Sequence, residues 1–416
     1  MHVKEEMAAY VGVDWGDQQH SVQLQSAAGG PVEQLDLAQR PDVLHAWVAE
    51  LRRRFAGRPV AIALEQRKGA VVHALMQYEF LVLYPVNPKA LARYREAFYP
   101  SGAKDDPTDA ALLLDLVRTH RAQLRPWHPE PVLGRKLQLL CEQRRKLVQH
   151  RVALTNRLTS LLKQYFPQAL DWVGTLDSRQ GCDFLEKWPT LAAVQRARPA
   201  TVRRFYQQHN CRRAAVIDAR LAQIAPAQPL TTAPAIVDTL SLAVQTYATQ
   251  LRSLLDAIRT FDAAIATVFA DHPDHDLFRS LPGAGRVCAP RLAAAFGTDR
   301  TRWQGATELQ THAGIAPVTV RSGKTCWGHH RFACPKFLKQ TFHEYADQSI
   351  RFSTWARRYY DQQRGRGNSH HAALRALAYK WMRILFRCWQ DRTPYDEAVY
   401  LDALRRHGSP LVKDLA

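Results

Sequence analysis

From Leu133 to Tyr165 the apolar residues return on alternating steps of four and three: Leu133, Leu137, Leu140, Leu147, Leu154, Leu158, Leu161 and Tyr165. Only Arg144 and Arg151 interrupt the seam. A heptad stripe over more than four repeats specifies a long helix that must bury one face along its whole length. A second stripe, Ile236, Leu240, Ala243, Tyr247, Leu251, Leu254, Ile258, Phe261, Ile265 and Phe269, supplies a partner of matching length. The second helix is expected to pair antiparallel with the first, or with a partner chain. The stretch between them, about 168–232, is helical but broken by Pro189, Pro199, Pro226 and Pro229. It reads as a helical cap inserted into the arm.

The chain before the arm has another period. Val11 and Val13 lead through Gly16-Asp17-Gln18-Gln19 to Ser21–Gln25, whose alternation suits a half-buried strand. A helix over 44–55, a strand ending at Glu65, a helix over 70–78, a strand over 80–86 and a basic helix from Pro88 to about Ala97 follow. After a loop at 101–106, Pro107 suits the first helical position and Ala110–Arg118 continue the helix. Strand–helix alternation of this kind argues for a layered α/β domain. Beyond His272-Pro273 the chain reads as helices, with an irregular basic segment from Val318 to Pro335. Two helices, about 336–363 and 369–391, and a polar tail complete it.

With 416 residues, two or three domains are expected. Lys and Arg number 57 against 38 Asp and Glu, a net charge of +19 that attracts polyanions, nucleic acid first among them. The arm helix carries Arg135, Lys136, Arg144, Arg145, Lys146, Arg151, Arg157 and Lys163 against one acid, Glu142, which favours a polyanion-facing surface over an ordinary solvated face. Seven scattered cysteines are not a disulfide framework. No signal segment and no membrane-spanning stretch is expected, and with the unpaired cysteines the location expected is a reducing cytosol, which the resemblance given below narrows to a bacterial cytoplasm with the nucleoid.

Against this basic background four carboxylates stand out. Asp14 ends the apolar run from Ala8, Glu65 ends the run from Val60, and Asp106 and Asp109 flank a helix start. Transfer at phosphorus develops charge on the entering and leaving oxygens, and two Mg²⁺ ions about 3.5–4 Å apart, bridged by acids, stabilise both. Mg²⁺ takes hard oxygen ligands. In an RNase H-like sheet one acid comes from the first strand, one from a neighbouring strand and the rest from a helix. Asp106 and Asp109, three apart, share a helical face. Simpler readings stay open for each: Asp106 as a helix cap, Asp14 as a turn residue before Gly16, Glu65 as a partner of Arg67 or Lys68, and Asp105 as a rival to Asp106.

These residues carry a resemblance. Tyr10–Asp14, Leu64-Glu65, Tyr84-Pro85-Val86-Asn87-Pro88 and Lys104-Asp105-Asp106-Pro107-Thr108-Asp109-Ala110 resemble the DEDD transposases of the insertion-sequence 110 type. Leu281-Pro282-Gly283-Ala284-Gly285, Ala313-Gly314-Ile315-Ala316-Pro317 and Arg321-Ser322-Gly323 continue it, so that 8–120 and 275–392 are covered. The resemblance implies an α/β RNase H-like catalytic domain (1–125), a helical coiled-coil arm (126–272) with its inserted cap, and a mainly α C-terminal domain (273–416). It implies that Asp14, Glu65, Asp106 and Asp109 bind Mg²⁺ and that Ser322 attacks DNA to form a phosphoserine link. Two departures, Gln66-Arg67-Lys68-Gly69 after Glu65 and Cys334-Pro335-Lys336-Phe337, touch loop contacts to DNA rather than catalysis.

Arg321 and Lys324 flank Ser322 and would stabilise charge on phosphorus; otherwise Ser322-Gly323 is a plain turn. Gly283 and Gly285 sit in a segment like a helix-hairpin-helix, which meets phosphates through backbone N–H groups, or in a simple Pro-Gly turn. Cys326, His329, His330 and Cys334 have zinc-type chemistry, but polar DNA contacts from Lys324, His329, His330 and Arg331 are favoured. His370-His371 are expected to cap the last helix, and Trp303, Trp327, Trp355, Trp381 and Trp389 to be core.

The implied function is a transposase acting as a site-specific, RNA-guided DNA recombinase. Donor and target DNA and a structured RNA of the element are the expected partners, with Arg144, Arg145, Lys146 and Arg151 offered to nucleic acid. A composite site in a homodimer or tetramer is expected. The alternatives are a Holliday-junction resolvase-like nuclease using water in place of Ser322, and a non-enzymatic architectural protein.

Overall fold

The computed structural model describes residues 6–65, 69–98, 105–323 and 325–412. The chain forms two compact units, Met1–Pro129 and Glu130–Ala416.

The first unit is built on five strands: β1 (Ala9–Asp14), β2 (Gln19–Ser26), β3 (Glu33–Ala38), β4 (Val60–Leu64) and β5 (Leu81–Pro85). Their order across the sheet is β3-β2-β1-β4-β5. The first three form an antiparallel meander, whereas β4 joins β1 and β5 joins β4 in parallel. Helices α1 (Pro41–Arg54), α2 (Ala70–Leu75), α3 (Pro88–Phe98) and α4 (Asp106–Thr119) cover the faces. Alternate residues of each strand supply two cores. Val11, Val13, Val22, Leu24 and Ile62 pack with Leu44, Val48 and Leu51 of α1 and Val72 of α2. Ala61, Ala63 and Tyr84 pack with Leu91 of α3 and Leu112, Leu113 and Val117 of α4. Each fully buried aliphatic side chain contributes roughly 1.5–3 kcal/mol, and the two-faced burial makes β4 apolar at every position.

The second unit is helical around two long helices, α5 (Val132–Tyr165) and α11 (Pro234–Ala270). Between them lie α6 (Ala169–Trp172), α7 (Arg179–Lys187), α8 (Leu191–Gln195), α9 (Pro199–Gln208) and α10 (Ala214–Ile224). The two long helices pack on each other and run antiparallel: Arg144 pairs with Asp262, while Arg157, further along α5, lies over Tyr247, earlier on α11. The two breaks in the heptad seam each find an acid, Arg144 at Asp262 and Arg151 at Asp177, 3.4 Å away. One end of the pair, with Leu158, Leu162, Val244 and Leu251, shares a core with the inserted cap through Phe184, Val202, Phe205 and Tyr206. The other end, with Leu137, Cys141, Ile265 and Phe269, belongs to a second core.

That core is completed by α12 (His275–Arg279), α13 (Gly285–Phe296), α14 (Ala306–His312), α15 (Lys336–Ser349), α16 (Thr354–Gly365) and α17 (His370–Asp391), with α18 (Glu397–Arg406) beyond. Trp355, Trp381 and Trp389 are wholly buried and Trp303 nearly so, as expected, but Trp327 is 40% exposed. The stretch expected as one helix over 336–363 is two. Ser349 donates to the carbonyl of Ala346 and accepts from the Trp381 indole, and Ser353 caps α16 by accepting from the N–H of Ala356. Ser369, not His370 or His371, caps α17. The segment expected to be irregular after Val318 holds an antiparallel hairpin, β6 (Val318–Ser322) and β7 (Thr325–His329).

Candidate active site

The register of the sheet places the first two acids. Val13 pairs with Leu64 in the last rung of the β1–β4 ladder, so Asp14 and Glu65 follow side by side at the carboxyl ends of adjacent parallel strands. Side chains alternate along a strand. Asp14 therefore shares the face of Tyr10 and Gly12, and Glu65 that of Ala61 and Ala63, the face covered by α3 and α4.

Helix α4 crosses that face with its start toward the same edge. Gln23, which pairs with Gly12, donates to the Pro107 carbonyl, whereas Arg118 at the far end donates to Gln25, which pairs with Tyr10. The approach is close: a Cβ on Gly12 would lie 2.1 Å from the carbonyl oxygen of Ala110 and 2.4 Å from the nitrogen of Leu114. Glycine at this position lets α4, whose first turn carries Asp106 and Asp109, cross β1 in backbone contact.

Asp105 opens α4. Its carboxylate accepts from the N–H of Thr108 at 2.7 Å and is the N-cap. The Thr108 hydrogen bonds hold its pKa below the usual value. Asp106 is the first helical residue and Pro107 the second, one place later than the sequence suggests. Asp106 is exposed, whereas Asp109 is 1% exposed and Asp14 7%. The buried carboxylate of Asp109 is matched by Arg95 of α3, whose Nε and Nη2 both donate to Oδ1, the first at 2.7 Å. Beside this pair Tyr94 donates to Asp115 of α4 at 2.5 Å. Burial, then the Asp115 carboxylate, pushes the Tyr94 hydroxyl up to about 12. Arg95 and Tyr94 thus fix α3 to α4. Neither stands out in the sequence, because a single basic or aromatic residue on a basic helix carries no pattern.

Asp36 is a further carboxylate outside the sequence motif. It pairs in register with Ser21, whose hydroxyl donates to it at 3.2 Å, and Ser21 pairs with Asp14. One row across the sheet edge therefore carries Asp36, Ser21, Asp14 and Glu65.

Among the described residues no three His, Cys, Asp or Glu groups stand close enough to hold a metal ion. The acids themselves, Asp14 and Glu65 at the sheet edge and Asp106 and Asp109 in the first turn of α4, offer hard oxygen donors of the type Mg²⁺ takes; Asp14 and Asp109 are buried, and Asp109 is held by the Arg95 guanidinium.

In the second unit, Ser322 ends β6 and pairs with Thr325 across the hairpin turn. Both hairpin strands are exposed over Arg321-Ser322 and Thr325–His329, and Gly323 takes the positive φ of 55° that the turn requires. Lys324 lies outside the described residues. Arg331 is half-buried, and its neighbour His330 lies against Lys339, whose charge, after burial, lowers the His330 pKa. Cys326 is exposed, and the Cys334 thiol faces the carbonyls of Arg331 and Phe332. Gly283, with φ of 75°, packs against the backbone of Gln348, leaving a Cβ only 3.0 Å from that carbonyl oxygen, while Gly285 opens to free space. Of the basic residues offered to nucleic acid on α5, Arg144 is engaged by Asp262, Arg151 by Asp177 and Arg145 by Gln340. Lys146 is exposed.

A family model described as a transposase, of the DEDD IS110 kind, matches residues 11–167. A model of the transposase IS116/IS110/IS902 family matches residues 275–361. The cap and α11 lie between the two matched stretches. The chain is 27% identical over 401 residues, 95% of its length and 97% of the relative's, to a candidate mini-circle transposase for IS117 of Streptomyces coelicolor. It is 26% identical over 394 residues, 94% of this chain and 96% of the relative, to a 43.6 kDa protein of insertion element IS110 from the same organism. A 44.8 kDa protein of insertion element IS116 from Streptomyces clavuligerus is 28% identical over 302 residues, 72% of this chain and 74% of the relative. The class is that of the transposases. Within it, the chain belongs to the IS110 family of DEDD transposases.

Proposed function

We propose that this transposase is a site-specific DNA recombinase in which an RNase H-like acid edge and Ser322 form the two halves of one reaction centre. Two observations support the reading: Asp14 and Glu65 follow the Val13–Leu64 rung at the ends of adjacent parallel strands, and α4, which carries Asp106 and Asp109, starts toward the same edge. Bound Mg²⁺ would supply Lewis-acid stabilisation of charge on the phosphoryl oxygens. The carboxylates would hold that charge in place, with Asp109 held in turn by Arg95.

Ser322 then acts as nucleophile. Its Oγ forms a bond to phosphorus as one DNA oxygen–phosphorus bond breaks, and attack by a DNA hydroxyl reverses the exchange. One phosphate ester replaces another, so bond energy is conserved for strand joining. Exposure of Ser322 on a hairpin edge suits attack on a large substrate, and Arg321 and Lys324 beside it would offset charge on phosphorus. The site is composite, completed in a dimer or tetramer.

Sequence choice belongs to a structured RNA of the same element, with phosphate contacts supplying affinity and base pairing supplying selection. The coiled-coil arm and its exposed Lys146 face contribute to holding it, supported by the chain's net charge of +19. Purification from cells that carry the whole element, followed by sequencing of bound nucleic acid, tests this. A discrete element-encoded RNA is expected; bulk cellular RNA alone would remove the guide from the account.

A further inference from the structure

The inserted cap contains a cavity of about 670 Å³ between the loop before α7, the turn from α9 to α10, and α11. Its walls are polar and cationic: Arg179, Arg220, Arg259, His209, Gln180 and Asn210 face it, and no carboxylate lines it among the described residues. The cap itself carries nine Lys and Arg against five Asp and Glu over 168–232.

The three guanidiniums differ in how they are held. Arg179 and Arg259 share one carboxylate, Asp256 of α11, at 3.8 and 3.0 Å. Arg220 lies over the buried ring of Tyr206, 4.8 Å from its centre, and among the described residues no acid pairs with it. A stacked arginine keeps its donors in a fixed plane and offers them edge-on. Three cations and side-chain amides around one concavity, with one shared counter-ion outside it, leave an excess of positive charge. Such a site suits an anion with several acceptor oxygens.

We infer that this cavity is a phosphodiester-binding site through which the cap grips a nucleic-acid strand. The inference rests on the nucleic-acid reading above and gives the inserted cap a role in it. Arg220 and Arg179 supply charge-assisted hydrogen bonds to phosphate oxygens, and Gln180 and Asn210 supply neutral ones. Asp256 competes with the phosphate for Arg179 and Arg259, so its charge sets the affinity.

The test uses the full chain, with a labelled single-stranded RNA and a labelled DNA duplex titrated across a salt series. R179Q and R220Q are expected to weaken binding about five- to tenfold each and to flatten the salt slope by about 1. D256N is expected to bind more tightly than the parent, a gain that misfolding does not mimic. D218N, which frees Arg203 on the same cap but away from the cavity, controls for the general loss of a negative charge and should change binding less. The probe that responds identifies the strand as RNA or DNA. Affinities within twofold of the parent for R179Q and R220Q, or a D256N gain no larger than that of D218N, would overturn the inference while leaving nucleic-acid binding intact. A parent chain that binds neither probe would overturn the functional reading with it.

Discussion

Gly12 and Ala110 are in direct backbone contact: a Cβ on the glycine would come within 2.1 Å of the alanine carbonyl oxygen. The contact joins the central strand to the helix that bears half of the acids. Replacing Gly12 by Ala must push α4 away from β1. Overpacking of this kind costs about 1–3 kcal/mol. G12A should therefore lower the unfolding temperature of the first unit and reduce strand cleavage beyond what lost stability explains, measured by calorimetry and by cleavage at a temperature where the variant is folded. An unchanged melting profile would show that the helix does not sit as described.

Arg95 and Asp109 form a nearly buried ion pair, 13% and 1% exposed. Removing one partner of such a pair costs about 3–5 kcal/mol, because the other charge stays buried. R95M should lose stability on this scale in EDTA. If Asp109 is a Mg²⁺ ligand, added Mg²⁺ should restore part of it, raising the melting temperature of R95M more than that of the parent. Equal responses of the two proteins would separate Asp109 from the metal.

His343 of α15 is held neutral. Burial, then the nearby His371, Arg375 and His370, lowers its pKa from the ordinary 6.5 to about 4, with Asp347 acting weakly the other way. The unfolded chain takes up the proton first as the pH falls. The contribution of His343 is thus present above about 6.5 and is lost progressively down to about 4. H343Q should melt with a shallower pH dependence across that window, in thermal scans at fixed ionic strength. A residual slope is expected from His272, which burial also depresses. Identical slopes in parent and variant would mean that His343 titrates normally.

The long helices and four of the five strands, β1, β2, β4 and β5, were legible because each has a clean period and a buried face. Leu133 to Tyr165 lie within the observed α5, and the second stripe lies within α11. The sequence did not show β3 or the β6–β7 hairpin. In β3 only Leu37 is buried, and the hairpin is exposed almost throughout, so the alternations Leu35-Asp36-Leu37 and Val318-Thr319-Val320 are too short to stand out. Gly323 in a two-residue turn was the available signal. Ser322, the residue of greatest interest there, was legible only through its family resemblance. The acids were legible as strand and helix ends, but Arg95 and Asp36 act through packing and register, which no local motif encodes. The ion pair of the seam-breaking Arg144 was not legible because its partner, Asp262, lies on the other long helix.

The most direct measurement asks whether Ser322 becomes covalently joined to DNA. The parent chain, incubated with Mg²⁺ and the element's own RNA and DNA, should yield a denaturation-resistant protein–DNA adduct whose peptide map contains a phosphodiester on Ser322. S322A should bind the same DNA, within about twofold, and form no adduct. Loss of the adduct in D14N would tie the acid edge to the same step. Strand cleavage that persists in S322A would contradict the account and assign the attack to water.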